Sequence, residues 1–492
     1  MSQMSFDPDV VELPTANLIA GNRCNGEGSE YEVRRPSDGV LARIERSASS
    51  RQVDEAVAAA KLAYLQSGWA DLAPRQRQRI MRRWADLVDD AQLELGRLEC
   101  LVSVRIIGSV AVRDVRIASE VIRFFAECID KVEGAVLATG PNRHSFLVHE
   151  PHGVVAGIAP WNTPMLLSLL KIAPAVAAGN AIVLKASEMT PYATVRLVEL
   201  GIEAGLPRGL ISIVSGYGNE TGTALVRHPD VAFVSFTGSG ATGAQVMSDA
   251  ALSGVKPVTL ELGGKSPQLV FADAPDLDAL AVMVANSVCA NAGQVCFAGT
   301  RLVVEESVRE AFLDRIEAHM RKVVAGATWD ERTTLGPIVS EKQAQRLEGL
   351  LSDAIAGGAS IRCGGGRIEA VRGGVYFAPT IIENASPDNP AVRHELFGPA
   401  LTVQPFRDES EGLALADHEV FGLAGGVHTR DISKALRAAR SIQAGTVWVN
   451  TYGPNSEPNA PMGGYRQSGF GKDFGLMSLE KFYKTKHIAV QI

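Results

Sequence analysis

From Gly153 onward, short apolar runs alternate with segments whose apolar residues recur every three to four positions. Residues 154–158 predict a strand, and a helix follows to Ala178, ended by Gly179-Asn180. Strands over 181–184, 210–214 and 231–236 then alternate with helices over 194–204, 221–227 and 240–251. A second alternating block runs from Ser266 to about Met462, with strands over 268–271, 401–405 and 446–449 and helices over 277–291 and 341–356. Such repetition predicts an α/β chain with mostly parallel, doubly wound sheets whose ligands sit beyond the carboxyl ends of the strands. The paired glycines Gly263-Gly264 are the best boundary between the two blocks.

Upstream, the first fifty residues are polar and Gly/Ser-rich and predict short strands and loops wrapped on the surface. Ser49 with Gln52 suggests a capping box opening a helix that buries Val53, Ala56, Val57, Ala60 and Tyr64. One helical pattern covers 75–98. The tail reads as a short helix and then a strand over 486–491, which needs an edge to pair with, another subunit's being one candidate.

At 492 residues the chain has material for two to four domains of roughly 100–200 residues each. Hydrophobic residues at 46% and charged residues at 21% exclude a disordered chain. A net charge of -7 offers no footprint for nucleic acid or an anionic membrane, and a small-molecule partner is expected. No segment reads as a signal peptide or membrane span. Six scattered cysteines without a C-x-x-C pair fit a reducing, cytoplasmic setting, and the nine histidines show no ligand spacing, so no metal is expected.

Four segments can carry chemistry. Gly238-Ser239-Gly240-Ala241-Thr242-Gly243 follows a predicted strand and opens a helix, as a dinucleotide fingerprint does, although Gly-rich turns also serve packing. In Val295-Cys296-Phe297 a thiol stands just past a helix end, where local donors can ionise it for nucleophilic attack; burial as an inert core residue is the alternative. Cys289, inside the helix, is expected to be structural. Glu261 ends an apolar strand, either solvated or buried enough to rise into general-base range. Asn162 either caps the following helix or donates to an oxyanion.

Together these segments resemble the NAD(P)-dependent aldehyde dehydrogenase superfamily over nearly the whole chain. The carriers are Pro160-Trp161-Asn162, Lys185-Ala186-Ser187-Glu188, Phe236-Thr237-Gly238-Ser239, Glu261-Leu262-Gly263-Gly264-Lys265, Gly293-Gln294-Val295-Cys296, Glu395-Leu396-Phe397-Gly398-Pro399 and Pro461 to Gly469, in the family's order. The resemblance implies two doubly wound domains, a Rossmann-like cofactor domain over 1–125 and 152–262 and a catalytic domain over 263–462. A small β oligomerisation segment over 126–151 and 479–492 would build a homodimer or homotetramer. Cys296 would be the nucleophile, Asn162 with the Cys296 N–H the oxyanion hole, and Glu261 the base that hydrolyses the thioester. Lys185 and Glu188 would hold the adenosine ribose, Glu395 the nicotinamide ribose, Gly238 and Ser239 the pyrophosphate, with Phe397 beside the nicotinamide and Trp161 in the cofactor cleft. NAD is expected, since Glu188 would repel a 2′-phosphate, with NADP possible.

The resemblance places Thr163, Leu167, Leu170, Val295, Phe297 and the loop 452–461 along the substrate passage. That wall reads as small or aliphatic, against an aromatic cage for a quaternary ammonium. Polar Asn455, Ser456, Glu457 and Asn459 suggest an amino- or hydroxyl-bearing aldehyde. Two departures stand out: Arg105-Ile106-Ile107-Gly108 replaces a stretch polar in many relatives, and Leu476 stands where many carry a second Glu, leaving base function to Glu261 alone. A CoA-acylating enzyme and a non-catalytic binding protein are the rival functions. Glu261 disfavours the first, and joint retention of Asn162, Glu261 and Cys296 the second.

Overall fold

In the computed structural model, which describes residues 4–453 and 457–492, five parallel strands form the centre of the first sheet. Their spatial order is Ile211–Gly216, Ala181–Ser187, Val154–Ile158, Phe233–Thr237 and Val258–Glu261. The first strand in sequence lies in the middle, and the chain winds outward on both sides, which opens a crevice at the carboxyl ends. Val154–Ile158 and Ala181–Ser187 are buried along their whole length. Helices cover both faces, which is why these strands read as unbroken apolar runs instead of alternating. The polar N-terminal segment does more than wrap the surface: Asn17–Ile19 and Asn22–Cys24 extend this sheet antiparallel at one edge.

The second sheet orders Ser360–Cys363, Thr380–Glu383, Ala400–Phe406, Arg301–Glu305, Pro267–Val270, Ala424–His428 and Thr446–Val449, all parallel except the first pair. One apolar core gathers residues between Leu18 and Leu262 together with Leu479 and Phe482, while the cores around the second sheet draw on residues from Leu269 to Ile442.

Most predicted elements are present, with shifts at their ends. Ser49 makes the capping box with Gln52. The single helix expected over 75–98 is two, Pro74–Asp90 and Gln92–Val102, because Ala91 leaves helical geometry. The tail strand is longer than predicted, Tyr483–Gln491, and all nine residues pair antiparallel with Arg143–Pro151 of the same chain. The edge it needs is therefore supplied internally, in a three-stranded sheet completed by Ala135–Leu137. Among the described residues no helix is long and apolar enough to cross a membrane.

Candidate active site

The strands of the first sheet deliver their candidate residues to one crest. Asn162 follows Val154–Ile158, Lys185 and Glu188 lie in and just after Ala181–Ser187, Gly238 and Ser239 follow Phe233–Thr237, and Glu261 ends Val258–Glu261. Ser239 caps the helix Gly240–Leu252 by accepting the Thr242 N–H at 3.3 Å. A Cβ on Gly243 would lie 2.7 Å from Leu262 Cδ2, so only glycine lets this helix settle against the sheet. Lys185 Nζ donates to Glu188 Oε2 at 3.0 Å. From the second sheet's side, Glu395 accepts the Gly264 N–H at 3.0 Å, and Phe397 meets Trp161 edge-on at 5.4 Å between ring centroids. Burial pushes Glu395 up to about 7, against the pull of the Gly264 N–H, Arg346 and Lys265. Carboxylates, a capped helix N-terminus and an aromatic pair are the kinds of groups a dinucleotide calls for.

The thiol is presented by a left-handed turn. Its helix, Leu277–Cys289, ends two residues before the predicted 291, because Asn291, Ala292 and Gly293 all take positive φ, 53°, 50° and 69°. The chain is thereby thrown outward, and Cys296 reaches a cavity of about 770 Å³ half-buried, while Cys289 stays in the core. Gly264 permits this approach, since a Cβ there would lie 2.7 Å from the Cys296 carbonyl oxygen.

Asn162 does not cap the helix Pro164–Ala177; Thr163 occupies the cap position, without a side-chain bond. The buried Asn162 instead donates from Nδ2 to Gln294 O at 3.0 Å. Asn291 Nδ2 donates to Asn162 O at 2.9 Å and to Gln294 O at 3.2 Å. Gln294 is itself anchored, accepting the Val339 N–H and donating to Pro337 O, each at 3.0 Å. The amide and the nucleophile loop are thus tied together, and the second Nδ2 hydrogen is left for another acceptor.

Electrostatics correct two expectations. The thiol is not readily ionised in the free protein: burial, then the Glu395 and Glu261 carboxyls, push Cys296 up to about 12, against weaker backbone N–H donors. Burial and then Asp473 hold Glu261 well above the usual carboxylate range, opposed by Lys481, Lys171 and Lys472. Glu261 Oε1 is buried without a hydrogen-bond partner among the described residues, and Gly463 makes room for it, a Cβ there falling 2.5 Å from that oxygen. The second concerns the surroundings of Glu261, which remains the one expected base but has another carboxylate beside it. Asp473, three residues before Leu476, lines the same cavity. Burial pushes Asp473 up, yet Lys481 at 2.8 Å and Lys171 at 3.9 Å outweigh it and hold Asp473 below the usual carboxylate range. Of the pair, Asp473 is therefore the more readily ionised and Glu261 the more ready to hold a proton.

Thr163, Leu167, Leu170, Val295, Phe297 and Glu457 all line the cavity, as do Asn162, Glu261 and Cys296. The wall is less aliphatic than expected, for Trp448, Tyr452 and Phe474 join Phe297. Trp448 packs on Tyr452 at 4.9 Å, and Tyr452 Oη donates to Phe297 O at 2.7 Å. Alternation along 446–449 marked a strand but could not say that Trp448 faces the cavity. Asn455 and Ser456 lie outside the described residues.

Residues 24–488 match the family model described as the aldehyde dehydrogenase family. The chain belongs to the aldehyde dehydrogenase family. It is an oxidoreductase that oxidises aldehydes with a nicotinamide cofactor, NAD among them. The chain is 39% identical to the NADP/NAD-dependent aldehyde dehydrogenase PuuC of Escherichia coli (strain K12), over 95% of its length and 93% of the relative's. In structure it is similar to the indole-3-acetaldehyde dehydrogenase AldA of P. syringae, solved as a mutant with NAD+ and IAA. There the TM-score is 0.96 and the identity 35%, with 99% of this chain and 98% of the other covered. The gamma-glutamyl-gamma-aminobutyraldehyde dehydrogenase of Burkholderia cenocepacia gives a TM-score of 0.95 and 38% identity, covering 98% of both chains. Among the described residues of this dehydrogenase, no three His, Cys, Asp or Glu side chains gather as a metal would require.

Proposed function

We propose that Cys296, Asn162 and Glu261 carry the oxidation of an aldehyde to its carboxylic acid, and that their convergence on one cavity supports this most directly. Cys296 Sγ, once its proton has left, adds to the aldehyde carbon. The carbonyl oxygen becomes an oxyanion, met by the free Nδ2 hydrogen of Asn162 and the Cys296 N–H. As the C–O double bond re-forms, the aldehyde hydrogen departs with its electron pair and leaves a thioester on Cys296. Bound NAD supplies the acceptor for that hydride. Glu261, ionised at this stage, takes a proton from water as the water oxygen attacks the thioester carbon; the C–S bond breaks and the acid leaves.

The cofactor reading assigns Lys185 and Glu188 to the adenosine ribose, Gly238 and Ser239 to the pyrophosphate, and Glu395, Phe397 and Trp161 to the nicotinamide end. Glu188 favours NAD, because its carboxylate accepts from a 2′-hydroxyl and repels a 2′-phosphate. Residues 1–125 and 152–262 then form the cofactor domain and 263–462 the catalytic one. The segments 126–151 and 479–492, with Val136 and Val490 exposed, would serve assembly into a homodimer or homotetramer. Six free cysteines fit a cytoplasmic setting.

Thr163, Leu167, Leu170, Val295 and Phe297 would hold the substrate stem. Glu457 at the exposed end would favour an amino- or hydroxyl-bearing aldehyde, in keeping with the relative named for gamma-glutamyl-gamma-aminobutyraldehyde. The test is NADH absorbance across aliphatic, aromatic, amino and carboxylate aldehydes, with the unaltered protein and Cys296→Ala. NADH and free acid should form without CoA, and only with the thiol; NADH from Cys296→Ala would overturn the assignment.

A further inference from the structure

Beyond Glu261 and Asp473 the cavity carries a second set of charged residues, some of them paired within the protein. Arg105, Arg113, Asp114, Glu120 and Glu457 all line it. Arg105 is taken up by Asp114, to which its Nε donates at 2.8 Å. Glu120 is taken up by Arg123, at 3.2 Å, a side chain that also binds Asp86 and Asp89. Arg113 makes no ion pair among the described residues. Arg113 is exposed and by spacing shares a helical stripe with Ile117 and Glu120, at i, i+4 and i+7, all three lining the cavity.

This position is built, not incidental. Arg113 sits in a widened turn, Val110–Asp114, where the Val115 N–H reaches back five residues to Val110 O. Such π turns are unusual in a helix and often occur at functional sites. The turn is pinned by the buried Asp114, whose side chain is bound by Arg105, so the next residue in the chain holds Arg113 in place from below. The same cavity has an apolar lining that includes Ile117, Leu167, Met283 and Phe297, and Cys296 opens onto it as well. A cationic fork, apolar side chains and a thiol thus share one cavity.

We propose that Arg113 reads a carboxylate at the far end of the substrate, so that the preferred aldehydes carry their reactive carbonyl and an anionic group at opposite ends of an aliphatic chain. This rests on the assignment of the cavity as the aldehyde passage. A carboxylate suits the guanidinium because two parallel N–H donors match its two oxygens. A phosphate dianion suits the site less, since it brings more negative charge than a carboxylate into the cavity that Glu457 also lines. With an amino group near Glu457, the recognised tail would be zwitterionic.

The experiment compares kcat/KM for an unbranched aldehyde bearing a terminal carboxylate with that for the uncharged aldehyde of equal length. It uses the unaltered enzyme, Arg113→Gln and Arg113→Lys. The unaltered enzyme should favour the carboxylate by about 2- to 5-fold, as expected for an ion pair at an exposed guanidinium. Arg113→Gln should erase that preference through KM, with kcat little affected, and Arg113→Lys should restore part of it. Raising the salt from about 0.01 M to about 1 M should shrink the preference of the unaltered enzyme, because exposed charges are screened. A preference that is absent, or that survives Arg113→Gln or high salt undiminished, overturns the proposal. Failure of the unaltered enzyme to oxidise either aldehyde would instead overturn the assignment beneath it.

Discussion

Replacing Asn162 with Ala separates its part in the reaction from its part in the fold. In the resting protein its amide makes one hydrogen bond, to Gln294 O at 3.0 Å, and that carbonyl keeps a second donor, Asn291 Nδ2, at 3.2 Å. Truncation therefore strands no buried acceptor. The stability lost is that of one neutral bond, about 1 kcal/mol, worth about 2 °C or less in Tm for a chain of this size. On the reaction path the loss is larger, because a preorganised donor to an oxyanion is worth about 2.7–4 kcal/mol, or roughly 10²–10³ in rate. The hydride step, followed by stopped-flow NADH absorbance at saturating aldehyde and NAD, should slow by that factor while thermal melting barely moves. Asn162→Asp, which keeps the shape but puts a carboxylate in place of the amide, should be at least as slow. A hydride step within about fivefold of the unaltered enzyme in Asn162→Ala would refute the oxyanion role, and a drop in Tm of about 10 °C would show that the amide mainly holds the loop.

Three further outcomes concern Glu261 and its neighbour Asp473. Glu261→Gln should leave a burst of NADH close to one equivalent per active site followed by slow turnover, since the thioester forms but lacks its base; an unchanged steady state would remove Glu261 from the mechanism. Steady-state turnover should rise with pH across the neutral range, because Glu261 is held protonated well above the usual carboxylate range by burial and Asp473 and must ionise to act. Asp473→Asn removes the negative neighbour and leaves Lys171 and Lys481 facing Glu261, so the ascending limb should move to lower pH; a limb that stays or moves up contradicts the coupling.

Much of this protein was legible in one dimension. Parallel strands such as Ala181–Ser187 are buried on both faces, so their apolar runs stand out against the amphipathic helices between them. Sheet order then places the residues after each strand on one crest, which is why Asn162, Ser239 and Glu261 could be singled out before any contact was known. Local pattern could not supply the orientation of Trp448, the role of Asp473 or the state of the Cys296 thiol. Asp473 lies 212 positions along the chain from Glu261. Its charge is set by Lys171 and Lys481, which come from other parts of the chain, and its effect on Glu261 depends on their sharing one cavity. Hydrophobic periodicity specifies which face of an element is buried; only packing of distant elements decides which charges are left unpaired beside one another, and pKa and specificity follow from that.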